Sequence, residues 1–128
     1  MKLRTTILVG GAGLTTAAAV LSAATPAFAK SDTGLTGPRA AQAGHPFRLV
    51  VSVGDDGGAR QASARLQILG PDRKFHWYGS WQRLRIDRAD HDQESGTFTI
   101  RPAHRGTEVF RAVVTGYLTT NTVTIPVR

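Results

Sequence analysis

The chain has 128 residues, with sixteen Lys and Arg against nine Asp and Glu, a formal net charge of +7 and no cysteine. The lack of thiols excludes disulfide staples, thiolate metal sites, cysteine nucleophiles and a lipoprotein anchor built on a cysteine. The length suits one domain of ordinary size behind a leader and leaves no room for two.

Lys2 and Arg4 open the chain, an apolar run follows from Ile7 to Ala24, and Ala27-Phe28-Ala29 offers small residues for cleavage. This is the pattern of a Sec-type signal peptide over residues 1–29, cleaved near Ala29, so the expected localisation is secreted or extracellular. A retained N-terminal anchor is the alternative. Against it, Gly10, Gly11, Gly13, Thr15 and Thr16 interrupt the apolar run, and nothing downstream approaches the roughly 20 continuous apolar residues of a bilayer span. No membrane span is expected. Removing Lys2 and Arg4 leaves fourteen basic residues against nine acidic ones, a charge of +5 for the mature domain. That excess permits adhesion to anionic wall polymers, phospholipid headgroups, acidic polysaccharide or extracellular nucleic acid. It is equally an ordinary solubilising charge for a small domain.

Residues 30–44 read as a tether rich in Ser, Thr, Gly, Ala and Pro, with a possible first strand around Leu35 to Ala41. The sandwich itself is assigned to 45–128, with a start near 35 as the longer option. From His45 to Val53, Phe47, Leu49, Val51 and Val53 share one parity, the period of a half-buried strand. Gly54-Asp55-Asp56-Gly57-Gly58 reverses the chain. Ala62 to Leu69 puts Ala64, Leu66 and Ile68 inward against Arg65 and Gln67, and Gly70-Pro71-Asp72 ends it. Residues 73–80 fit either a short strand or an aromatic loop closed by Gly79-Ser80. Trp81 to Arg88 alternates Leu84 and Ile86 with Arg83, Arg85 and Asp87. A polar loop covers Ala89 to Gly96. Strands then follow at Thr97–Arg101, Glu108–Thr115 and Thr122–Val127, with Pro126 on an outward parity that suits an edge or strand end.

About seven short strands separated by turn signals, with no helical period, predict an all-β fold: an antiparallel two-sheet sandwich. An up-and-down or open Greek-key barrel is the alternative, because strand count alone does not fix closure. The runs Arg65-Leu-Gln-Ile-Leu, Gly79-Ser-Trp-Gln-Arg-Leu, Ser95-Gly-Thr-Phe-Thr-Ile and Arg105-Gly-Thr-Glu-Val-Phe-Arg-Ala-Val-Val together resemble the immunoglobulin-like modules of secreted actinobacterial proteins. The resemblance spans about Leu35 to Arg128. It implies an Ig-like or fibronectin-like sandwich, no catalytic residues to carry over, and a core position for Trp81. The Phe75-His76-Trp77-Tyr78 segment departs from it by its wealth of aromatics.

That segment supplies the first candidate site. Flat rings bind sugar faces and bury well at interfaces, so Phe75, His76, Trp77, Tyr78 and Trp81 form the densest candidate group, in which Trp77 and Tyr78 are singled out as ligand-binding residues and Trp81 is set mainly in the core. Arg83 and Arg85, two residues apart, are expected side by side on the outward face of one strand, where guanidinium forks grip phosphates or carboxylates. The plainer reading is a solvated face whose charges keep an edge from pairing. No Gly-rich phosphate loop accompanies them, so no specific nucleic-acid binding is expected.

Asp87, Asp90, Asp92 and Glu94 surround His91 in a carboxylate-rich loop, the one calcium candidate in the chain. Neither the sixth-position Gly nor the twelfth-position Glu of an EF-hand is present counting from Asp87 or Asp90, and a polar turn explains the same residues. His45, His76, His91 and His104 lack zinc spacing. No metal or other cofactor is expected. With no Gly-x-Ser-x-Gly elbow and no readable serine partner, no catalytic residue is assigned. The expectation is a secreted non-enzymatic module for binding or structural interaction, partnered by a protein or by an anionic wall polymer or glycan. A small secreted hydrolase or inhibitor acting through the acidic loop on a wall or glycan substrate is the alternative.

Overall fold

The computed structural model describes residues 31–128. The leader assigned to 1–29, and its cleavage near Ala29, lie outside the described residues. Eight strands follow in order: β1 Ser31–Thr36, β2 Phe47–Asp55, β3 Ser63–Leu69, β4 Phe75–Arg83, β5 Arg85–Ile86, β6 Gln93–Ile100, β7 Gly106–Val114 and β8 Val123–Val127. They form two four-stranded antiparallel sheets, β1-β2-β6-β5 and β4-β3-β7-β8, packed as a sandwich. The barrel alternative is therefore set aside, since the two sheets share no hydrogen-bonded strand pair. Among the described residues no helix is long and apolar enough to cross a membrane.

Period-two alternation builds the core. Phe47, Leu49, Val51 and Val53 of β2 face Ala64 and Leu66 of β3 and Phe110, Ala112 and Val114 of β7, all buried. Leu35, Ile100, Ile125 and Val127 extend this core toward the outer strands. Each side chain of Val, Leu or Phe size taken fully from water contributes about 1.5–3 kcal/mol, which lets a cysteine-free chain hold its shape. The rings of Phe47 and Phe110 meet edge-on across the two layers at 6.2 Å.

The chain changes sheets at two places that the alternation pattern does not mark. After β1 it crosses at Gly37, and Ala41 to Ala43 then run parallel to the end of β8. Ala41 N–H donates to the Pro126 carbonyl at 2.9 Å and Arg128 N–H to that of Ala41 at 2.9 Å. The possible first strand at 35–41 is thus two pairings in two sheets, with β1 starting earlier, at Ser31. The second crossing is at Leu84. The stretch Trp81–Arg88, expected as one strand, is divided there: Arg83 ends β4 in one sheet and Arg85 begins β5 in the other. Leu84 is fully buried at the step, its N–H donating to the Ala62 carbonyl at 2.8 Å. Ile86, expected inward, is 37% exposed. β6 also begins earlier than expected, at Gln93, inside the stretch read as a polar loop.

Candidate functional site

β4 is an edge strand, and its outward side chains lie in cross-strand rows set by its register with β3. Gln67 pairs with Trp77, Leu69 with Phe75 and Ser63 with Arg83, whereas Leu66 pairs with Tyr78 on the inward side. Between Tyr78 and Gln82 the ladder slips, so that Arg65 alone opposes Gly79, Ser80 and Trp81. Gly79 takes a positive φ of 72°, a backbone state that an L side chain resists, to make this bulge. In a straight strand Trp77 and Trp81 would stand about 13 Å apart. The bulge brings their ring centroids to 5.6 Å at an interplanar angle of 48°.

Arg65 fills the space the bulge leaves. Its Nε donates to the Gly79 carbonyl at 2.8 Å, and its guanidinium lies 4.8 Å from the centre of the Trp77 ring. On β7, Arg111 repeats the arrangement: its Nε donates to Gln67 Oε1 at 2.7 Å and its guanidinium covers the Phe75 ring at 3.9 Å. Arg83 stands exposed at the end of β4, two residues beyond Trp81. Trp77 is 48% exposed and Trp81 44%, although both rings are stacked. The outward positions of β3, β4, β7 and β8 thus carry three aromatic rings and three arginines, and none of them is acidic.

The expected site residues are distributed differently from the pattern read in the sequence. Trp77 and Arg83 belong to this face. Tyr78 does not, because consecutive residues on a strand point to opposite sides. It packs edge-on against Phe110 at 5.6 Å, and burial together with the nearby Glu108 carboxylate pushes its hydroxyl pKa up. Trp81, assigned to the core by resemblance, is on the outward face. Arg85 is parted from Arg83 by the sheet change and lies with Gln61, Asp87, Arg88 and Ser95 around a shallow open depression on the other layer. Arg65 and Arg111 were missed as site residues. The available signal was Gly79-Ser80 inside an aromatic strand pattern, since an isolated glycine there marks a bulge.

The acidic loop serves the backbone. Asp87 Oδ1 accepts the Ala89 N–H at 2.7 Å and Asp90 Oδ1 the Asp92 N–H at 3.0 Å, the geometry of self-bonded turns. Glu94 is not in the loop at all: it points inward from β6, where its two carboxylate oxygens accept the N–H groups of Ala62 at 2.7 Å and Arg60 at 3.0 Å. Among the described residues no group of three or more His, Asp or Glu is placed to hold a metal ion. The four calcium candidates are not brought together.

A second polar cluster near Glu94 had no counterpart in the sequence reading. Asp55, expected in a turn, is the last inward residue of β2 and is buried. It accepts hydrogen bonds from the Tyr117 hydroxyl at 2.6 Å and the Gly57 N–H at 2.9 Å, and Arg60 Nε lies 3.2 Å away. These contacts, the Tyr117 hydroxyl first, hold the Asp55 carboxyl below the usual range. Burial and the same carboxylate push Tyr117 up to about 12. The cluster ties β2 to the loop after β7 and is structural.

No family model matches the chain, and no curated protein matches it in sequence. Solved structures do match in fold. A CARDB domain from Pyrococcus furiosus, crystallised in complex with di-metal ions, is 18% identical with a TM-score of 0.57 over 84% of this chain and 95% of that one. A solution NMR structure of a CARDB domain from the same organism is 15% identical with a TM-score of 0.52, over 78% and 95%. A β-glucosidase from Listeria innocua, in complex with gluconolactone, is 8% identical with a TM-score of 0.52; the match takes in 78% of this chain but 16% of the enzyme. At these identities the likeness establishes the fold, an Ig-like β-sandwich of two antiparallel sheets.

Proposed function

We propose that this protein is a secreted, non-enzymatic Ig-like module that holds a partner in the extracellular or cell-wall space through the outward face of the β4-β3-β7-β8 sheet. The observation that carries this reading is the Trp77–Trp81 pair, two large rings kept exposed by a bulge that Arg65 pins open. Exposed indoles cost solubility when nothing covers them, and bulges recur where a strand re-aims side chains toward a ligand. Secretion rests on the leader at 1–29. The hydrolase or inhibitor alternative has less support, because Asp87 and Asp90 each bond the backbone of their own turn and Glu94 is buried against two backbone N–H groups.

The test is retention of the purified protein on isolated cell wall of the producing organism, beside a Trp77→Ala, Trp81→Ala double variant. Retention by the parent that is lost in the folded variant supports the reading. Equal retention of both, or none by either, overturns it for the wall.

A further inference from the structure

The face that carries the tryptophans also specifies the chemistry of what it holds. We propose that its ligand is a polysaccharide of carboxylate-bearing sugars, a polyuronate, an inference that rests on the binding-face reading above. Charge complementarity is the first support. Arg65, Arg83 and Arg111 share this face, none of its outward positions is acidic, and none of the three lies within salt-bridge distance of a carboxylate among the described residues. In each of Arg65 and Arg111 the Nε is committed to the sheet, to the Gly79 carbonyl and the Gln67 amide, and the Nη groups make no other hydrogen bond among the described residues. Two guanidiniums are thus fixed in place with their amino ends uncommitted. A guanidinium fork so oriented favours a planar carboxylate.

Spacing supplies the second support. The Arg65 guanidinium lies 4.8 Å from the Trp77 ring centre, and Trp81 opens at 48° to that ring. Because the guanidinium lies over the Trp77 ring, a pyranose stacks on the indole surface it leaves uncovered, and an anion bonded to the sugar's own ring carbon then stands at the rim of the aromatic patch, where the Arg65 Nη groups meet it. A uronate has this feature. A phosphodiester between sugar units sets the charge away from the stacked ring, and a polyphosphate has no ring to stack. Arg83, two residues along the strand from Trp81, stands about 7 Å further on, so a second acidic sugar of the same chain meets a second cation.

A second copy of this protein is a poorer occupant. The Gly79 bulge breaks the regular ladder that edge-to-edge pairing of two β4 strands requires, and two such faces would oppose arginine to arginine.

Trp77 and Trp81 are the only tryptophans in the chain, so intrinsic fluorescence reports this face directly. Titration with polygalacturonate at low salt is expected to shift the emission saturably, with its fully methyl-esterified form at least tenfold weaker. Arg83→Gln combined with Arg111→Gln is expected to weaken polygalacturonate at least tenfold while the variant still gives a single cooperative melt above the assay temperature. Equal response to the neutral ester, no response to either, or equal competition by inorganic polyphosphate or a single-stranded oligonucleotide overturns the proposal. A concentration-dependent emission change without glycan, matched by dimers in sedimentation, overturns it in favour of self-association. Wall retention that depends on the tryptophans but is not competed by polygalacturonate would sink the polyuronate and leave the binding face standing; loss of both sinks the face itself.

Discussion

The Tyr117 hydroxyl donates to Asp55 Oδ2 at 2.6 Å, joining the end of β2 to the loop after β7 across 62 positions of sequence. The two groups are linked to pH with opposite signs. Asp55 has a folded pKa below its ordinary 3.8, so its contribution is complete above that value and is lost as pH falls through the lower folded value. Tyr117 is raised from 10.0 to about 12, so its contribution is complete below pH 10 and is lost as pH climbs toward 12. Urea melts across the pH range should show stability declining at both ends. Tyr117→Phe should lower the urea midpoint near neutrality and flatten the decline between pH 10 and 12, leaving the smaller part due to Tyr78. An unchanged alkaline slope in the variant would show that the phenol is not the titrating group.

Glu94→Gln should be costly although the replacement is nearly isosteric. The carboxylate offers an acceptor oxygen to each of two backbone N–H groups, Ala62 and Arg60, while an amide offers one oxygen and turns its NH2 toward the other donor. One donor is then left unpaired beside a buried side chain, a loss of about 1–3 kcal/mol. Chemical denaturation should give a lower midpoint with an unchanged slope, since the surface exposed on unfolding stays the same.

The division between what the sequence disclosed and what it hid follows from the range of each interaction. Phe47 to Val53, Ala64 with Leu66, and Phe110 to Val114 were readable because a two-residue period is local and one sheet face is buried. The sheet change at Leu84 was not readable. Leu84 and Ile86 keep one parity through the step, and parity says nothing about which layer a strand joins. Glu94 hid the start of β6 because a buried carboxylate satisfied by two backbone donors looks, in sequence, like one more acid in a polar loop. For the candidate site, Trp77 and Arg83 followed from residue type. Arg65 and Trp81 required the bulge, whose only local sign is Gly79. Tyr78 was misplaced by treating adjacent aromatics as one patch, which strand alternation forbids.

Gly37→Ala probes the first sheet change. A Cβ built there would come within 2.6 Å of Leu49 Cδ2 and 3.3 Å of Ile125 Cδ1. These two side chains belong to opposite sheets and are themselves buried, so they yield only by shifting against other core groups. Overpacking of this kind costs about 1–3 kcal/mol. A drop in the denaturant midpoint, with the Trp emission of the outward face unchanged, is the expected result; an unaffected midpoint would mean that the layers part more easily than their packing indicates.

Trp77→Ala and Tyr78→Ala, neighbours in sequence, should give opposite phenotypes because they stand on opposite faces of β4. Trp77 is half exposed and its principal contacts are the Arg65 guanidinium and the Trp81 ring, so its removal should cost no more than about 1 kcal/mol. Tyr78 packs on Phe110, one of the largest fully buried side chains, and truncation opens a gap beside it worth about 2 kcal/mol or more. Binding should follow the reverse order: Trp77→Ala abolishes retention by the outward face, whereas Tyr78→Ala retains it at temperatures where the variant is folded. Thermal melts run beside the wall-retention assay resolve the two. If Tyr78→Ala lost retention while remaining as stable as the parent, the partner would have to reach past the edge of β4 into the space lined by Leu66, Tyr78, Trp81 and Phe98, and the outward face alone would not be the binding surface.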